Sequence, residues 1–114
     1  MKFTLPIPPS INAMYRRKTY GYGLYKTAEA RLWIVEAKKI ILKDRKKTIL
    51  GKVDIDAFFY FARDRDIDSS LKSLLDVLQE AKVYKNDSQV YSLLVQKQKD
   101  KDNPRVELEI LENR

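Results

Sequence analysis

The sequence predicts an α+β fold: one small domain in which two main helices pack on a mixed β-sheet. Three observations point there. The 114-residue length fits a single domain with a core of its own. Two segments carry apolar residues at helical spacing, and four others alternate or run apolar at strand length. The element order, strand, hairpin, helix, strand, helix, strand, strand, suits both helices on one sheet, with no repeat and no second domain across residues 1–114.

Each element has a local reason. "KFTLPI" alternates and is ended by Pro6, Pro8 and Pro9, so it reads as a short strand followed by a loop. "YRRKTYGYGLYK" reads as a hairpin or irregular ribbon with Gly21 and Gly23 near its tip. Thr27 is placed to cap the next helix, whose stripe is Ala30, Trp33, Ile34, Ala37 and Ile41. The cations of "KDRKK" suit its C-terminal end, and Gly51 marks a stop. "KVDIDAFFYFA" places Val53, Ile55, Ala57, Phe59 and Phe61 on one face of a long buried strand, with Asp54, Asp56, Phe58 and Tyr60 on the other. A second helix is expected over Ser69–Lys82, with Leu71, Leu74, Leu75, Leu78 and Ala81 inward. "SQVYSLLVQKQ" and "RVELEIL" give two last strands joined by the turn "DKDNP".

Composition removes whole classes of chemistry. The chain has no cysteine and no histidine, which excludes disulfides, thiolate and imidazole zinc sites, and Ser–His–Asp or Cys–His triads. What remains is carboxylate, lysine, tyrosine, serine, or a metal held by oxygen. No stretch approaches the ~20 apolar residues of a membrane helix, and the proline-broken N-terminus is not a signal peptide, so the cytoplasm is the expected compartment. The net charge of +7 is unevenly spread. Residues 1–50 hold 12 Lys/Arg against 3 Asp/Glu, a balance of +9, and residues 51–114 hold 11 against 13, a balance of −2. A basic half beside an acidic half suits a protein that grips a polyanion on one surface and a cation at another; a solvated lysine-rich surface is the plainer account.

The acid concentrates in "RDRDIDSSLKSLLDVLQEAKVYKND". Asp64, Asp66 and Asp68 crowd the start of the second helix. One capping carboxylate is worth ~1 kcal/mol. Capping explains one aspartate and not three, because like charges at this spacing repel and a cation relieves them. Mg²⁺ takes oxygen ligands and is commonly held by one or two carboxylates, with water and phosphate completing the shell. Asp66 and Asp68, two apart at a strand-to-helix junction, can serve it. Lys72, four residues past Asp68, lies on the polar face of the helix, where it either balances charge on a phosphate or forms an ordinary i,i+4 ion pair. Asp87, after "YKN", reads from spacing alone as a turn residue.

Upstream, Tyr15, Tyr20, Tyr22 and Tyr25 are interleaved with Arg16, Arg17, Lys18 and Lys26. Cations neutralise phosphates and aromatics stack on unpaired bases, so Arg16, Arg17 and Lys18 are the expected DNA contacts. The tyrosines fit either DNA or the edge of the core.

Taken together, "LPIPPSINAMYRR", "RDRDIDSSLKSLLDVL" and "NDSQV" nineteen residues after Asp68 resemble the RusA family of Holliday junction resolvases, in that family's order and over Leu5 to Val90. The resemblance implies a small homodimeric endonuclease of phage or prophage origin. It implies Mg²⁺ as cofactor, with Mn²⁺ as a substitute, and paired nicks in four-way branched DNA. It places the metal-binding aspartates on Asp66, Asp68 and Asp87 and the helix lysine on Lys72, and includes Asn12 in the N-terminal motif. Ser69 stands where the family often has asparagine, and Asn86 where it often has a second aspartate. Two other readings stay open on the sequence: a non-catalytic DNA-binding module, and a Mg²⁺ nuclease acting on flaps or duplex ends.

Overall fold

In the computed structural model, residues 1–17 and 23–113 are described, without the side chains of Ile11, Asn12 and Tyr25. Four strands form one mixed sheet: β1 (Lys2–Leu5), β4 (Lys52–Phe61), β5 (Val90–Lys99) and β6 (Arg105–Asn113), in the order β1–β6–β4–β5. β6 runs antiparallel to both β1 and β4, and β5 runs parallel to β4. A separate ribbon pairs β2 (Tyr15–Arg17) with β3 (Leu24–Lys26), and Gly23 enters β3 with φ of 106°, a conformation open to glycine. The tip of the expected hairpin, with Gly21, lies outside the described residues. The helices are α1 (Ile11–Met14), α2 (Ala28–Asp44) and α3 (Leu71–Glu80), and a 3₁₀ turn spans Asp87–Gln89. The predicted α+β domain and its element order are observed, except that the short helix α1 stands within the expected loop after β1.

The alternation in β4 decides the layering. Val53, Ile55, Ala57, Phe59 and Phe61 are buried against the helices, joined by Val106, Leu108 and Ile110 from β6 and Phe3 and Leu5 from β1. α2 contributes Ala30, Trp33, Ala37 and Ile41, and the Thr27 hydroxyl accepts the Ala30 N–H at 3.2 Å, the expected cap. The opposite face of the sheet has no helix over it among the described residues.

α3 is shorter than the sequence suggests, and its inward face is turned slightly. Ser73 and Val77 are buried beside Leu74 and Leu78, while Leu71 is only half-buried. The helix ends through Lys82, a left-handed residue at φ 62°, with the Val83 N–H reaching back to the Leu78 carbonyl at 3.0 Å. Because β4 and β5 are parallel, α3 is the crossover that carries the chain back along the sheet. It begins where β4 ends and delivers the chain to the start of β5. Among the described residues no helix is long and apolar enough to cross a membrane.

Candidate functional site

The site is built around α3, and the N-terminal prolines hold the start of that helix. Proline lacks an N–H but keeps its carbonyl. Three of these carbonyls are used as anchors. The Pro6 oxygen accepts from the Trp33 indole at 2.9 Å. The Pro8 oxygen accepts from the Ser70 hydroxyl at 2.9 Å and from Arg65 at 3.2 Å. The Pro9 oxygen accepts from Ser73 at 3.4 Å. Arg65 also lies 4.4 Å over the Phe61 ring, and burial pulls its guanidinium below the ordinary arginine range. The "PIPPS" loop is thereby fastened to the start of α3.

This anchoring shapes the acidic turn. Ser69 N–H bonds the Asp66 carbonyl at 3.0 Å and Leu71 N–H the Asp68 carbonyl at 3.2 Å, so Asp66 to Ser70 form tight turns leading into the helix. The N-cap position is Ser70, whose hydroxyl is given to Pro8 and caps nothing. Asp66 and Asp68 are exposed, and among the described residues neither side chain has a hydrogen bond or ion pair. Capping therefore accounts for neither of them. Asp64 is different: it pairs with Lys97 of β5 at 2.9 Å, a hydrogen bond that holds its carboxyl below the ordinary aspartate value.

Lys72 is the second residue of α3. Its ammonium bonds Asp76 at 3.0 Å, so the i,i+4 partner is the aspartate that follows it and not Asp68. That bond raises the lysine above its ordinary value, with smaller contributions from the Asp87 carboxylate and the Tyr15 phenol. Lys72 is thus within electrostatic range of Asp87 and of the first residue of the basic ribbon.

Asp87 is fixed from several sides. The buried Tyr84 hydroxyl donates to its Oδ1 at 2.7 Å, and its own N–H donates to Gln79 Oε1 on α3 at 2.8 Å. Asn86 accepts the Ser88 N–H at 2.8 Å, which gives the residue found in place of a second aspartate a role as cap of the 3₁₀ turn. Gln89 accepts from Lys85 and Asn86 N–H and donates to the Ile49 and Gly51 carbonyls, tying this turn to the start of β4. Tyr84, Gln79 and Gln89 carry no signal in the sequence read alone, because their roles depend on how the chain doubles back after α3.

The donor set suits a hard, oxygen-seeking divalent cation. Asp66 and Asp68 offer uncommitted carboxylates, and Asp87 keeps one oxygen without a partner among the described residues. The two sets flank α3 in the chain. Tyr84 bonds both Asp87 and the Leu75 carbonyl, so the Asp87 carboxylate lies alongside the helix and not beyond its far end. Among the described residues no three acidic groups lie close enough to share one ion. Two carboxylates with water and phosphate suffice for Mg²⁺, so the residues fit such an ion without forming a closed cage.

Of the expected DNA contacts, Arg16 and Arg17 are exposed on β2. Arg16 also reaches its neighbour's carbonyl, Tyr15 O, at 3.3 Å. The ribbon is tied to the helical layer where Thr27 bonds Ala13 and Met14. Asn12 lies in α1, which packs against α2 and α3. Lys18 lies outside the described residues.

An α+β domain with clustered carboxylates, a charged lysine and an adjacent basic ribbon has the parts of a small nuclease that works without histidine or cysteine. The family model for endodeoxyribonuclease RusA matches residues 6–111 of the chain, and the chain belongs to that family. It is an endodeoxyribonuclease of the Holliday-junction-resolving kind, in a family that acts on branched DNA and generally depends on a divalent metal. No curated protein matches the chain.

Proposed function

We propose that this protein resolves four-way DNA junctions by two opposed nicks, with Mg²⁺ as its ion and its carboxylate ligands drawn from Asp66, Asp68 and Asp87, in recombination and repair of phage or prophage DNA. The observation that carries the reading is the pair of exposed, uncommitted carboxylates in the turn that Ser70 fastens to the Pro8 carbonyl, ahead of the helix that bears Lys72. Mg²⁺ in such a site supplies charge neutralisation at the phosphate and a more acidic bound water. The chain's own residues do the rest. Asp66 and Asp68 supply hard oxygen donors where the prolines hold the turn still. Lys72, raised above its ordinary value, stays protonated at neutral pH. It therefore acts as a fixed positive charge for the phosphate and not as a base. Arg16 and Arg17 grip backbone phosphates away from the cut, which positions the junction without reading its sequence.

Two cuts call for two sites. A C₂ homodimer matches the approximate two-fold axis of the junction. The helix-free face of the sheet supports this reading. Phe58 and Tyr60 stack there at 4.7 Å, Arg105 lies 3.8 Å over the Tyr60 ring, and Leu94 and Leu111 are 54% and 46% exposed. That face is the proposed interface.

The test is a panel of four-way junction, flap, fork and linear duplex, each labelled on every strand, incubated with Mg²⁺. Symmetric nicks in opposed junction strands are expected, with a particle of twice 13.4 kDa by light scattering. Cleavage confined to flaps or ends would replace the reading with that of another nuclease. Binding without cleavage would replace it with that of a DNA-binding module.

A further inference from the structure

We propose that Tyr84 is a positioning residue that makes Asp87 a one-oxygen metal ligand and so biases the site toward small octahedral cations. The inference rests on the reading of Asp87 as a ligand and deepens it.

The geometry carries the argument. Tyr84 is fully buried, yet its hydroxyl lies 2.7 Å from Asp87 Oδ1 and 3.1 Å from the Leu75 carbonyl of α3. A phenol has one proton, and the two acceptors compete for it. The nearer and charged acceptor is the carboxylate, which makes the stronger bond.

Oδ1 is therefore engaged by a donor that the core holds in place. The backbone of Asp87 is held as well, by Gln79 on one side and by the Asn86 and Gln89 side chains of the 3₁₀ turn on the other. The carboxylate cannot swing freely to lay both oxygens against one ion, and it presents Oδ2. Mg²⁺ accepts single-oxygen carboxylate ligands in octahedral geometry at about 2.0–2.1 Å, whereas Ca²⁺ takes more ligands and commonly a carboxylate through both oxygens. A hydrogen bond that competes with the two-oxygen mode favours Mg²⁺ and Mn²⁺ over Ca²⁺. Ordering of ligands by the groups behind them commonly changes metal affinity by ~10–100-fold.

The substitution that isolates this is Tyr84→Phe, which keeps the buried ring and removes the hydroxyl. Binding is read on the full chain with a four-way junction made uncleavable by phosphorothioate at the cut site. Mn²⁺ is titrated and followed by paramagnetic resonance, then displaced by Mg²⁺ or by Ca²⁺. In Tyr84→Phe the ratio of Ca²⁺ to Mg²⁺ affinity is expected to rise by about fivefold or more, within the scale set by groups that order metal ligands. Gln79→Ala, which frees the Asp87 backbone, is expected to move the ratio the same way. Junction affinity in EDTA is expected to stay unchanged in both variants, which separates loss of metal choice from loss of folding. Asp87→Asn tests the underlying reading: if it leaves Mn²⁺ binding and cleavage intact, Asp87 is not a ligand. If Asp87→Asn weakens Mn²⁺ binding while both Tyr84→Phe and Gln79→Ala keep the wild-type ratio, Asp87 stands as a ligand and Tyr84 serves packing alone, which overturns the inference.

Discussion

The Ser70 hydroxyl donates to the Pro8 carbonyl oxygen at 2.9 Å, joining two stretches 62 residues apart. Both groups are buried, and this bond is what fixes the acidic turn against the N-terminal loop. Ser70→Ala removes the donor and leaves Arg65 as the Pro8 carbonyl's remaining partner. The expected cost is ~1–2 kcal/mol, seen as a lower thermal midpoint, with cleavage slowed further because Asp66 and Asp68 lose their support. Calorimetry and single-turnover cleavage on the same preparation check it. An unchanged midpoint would show that Arg65 and Ser73 hold the loop without it.

Asp66→Asn and Asp68→Asn are each expected to abolish cleavage while junction binding survives or tightens. Phosphate contacts dominate affinity, and each change removes a negative charge. Neither side chain has a partner to lose among the described residues, so the thermal midpoint stays close to wild type. Cleavage at the wild-type rate in Mg²⁺ by either variant would remove that aspartate from the site.

Lys72→Ala is expected to slow single-turnover cleavage by roughly 10²-fold, the scale of withdrawing one charge from a transition state, with little change in stability. The exposed Asp76 pair contributes little to folding. The pH dependence has a definite sign. Asp76 raises Lys72 above 10.5, so its positive charge is lost only above that value. A cleavage–pH profile should show no fall in rate across neutral and mildly alkaline pH that Lys72→Arg relieves.

Arg16→Ala and Arg17→Ala are each expected to weaken junction binding and flatten its salt dependence, by about one unit of slope for each phosphate left ungripped. Titrations at several salt concentrations give the slope. A slope equal to wild type would place the arginine away from DNA.

The Asp64–Lys97 pair sets a pH effect on stability, not on chemistry. Asp64 lies below its ordinary value of 3.8 when folded. Its contribution is therefore present above that value and lost as pH falls through the lowered folded value. Thermal midpoints of wild type and Asp64→Asn should differ near neutral pH and converge in strong acid, below the lowered folded value. A gap that persists there would mean that the carboxylate's charge is not what matters.

Much of this is legible in the sequence. The β4 alternation, the α2 stripe and the Thr27 cap follow from periods and propensities that act locally, and all three are seen. The carboxylate pair Asp66 and Asp68 is readable because three acids at alternate positions exceed what a helix start needs. The turn of α3 toward Ser73 and Val77 is hidden, since a serine is buried there only because the Pro9 carbonyl comes to meet it. The partner of Lys72 is hidden for a similar reason: Asp68 and Asp76 are equally spaced from it, but Asp68 lies in the turn before the helix and only Asp76 shares its helical face. Tyr84 and Gln79 cannot be found at all, because contacts made after a chain reversal leave no periodic mark. Proline carbonyls as anchors are equally silent, for the sequence shows what a proline lacks and not what its oxygen meets.

The β1–β6 pairing sets Lys2 opposite Glu109, and the Ile110 N–H reaches the Met1 carbonyl at 2.7 Å. Contacts of such long sequence separation are closed late, because the chain between them must lose its freedom first. The proline loop that steadies the acidic turn follows directly from β1. The turn that bears Asp66 and Asp68 is tied in this way to the pairing of the first and last strands. Fraying of the chain's two end strands is thus expected to reach the acidic turn through that loop.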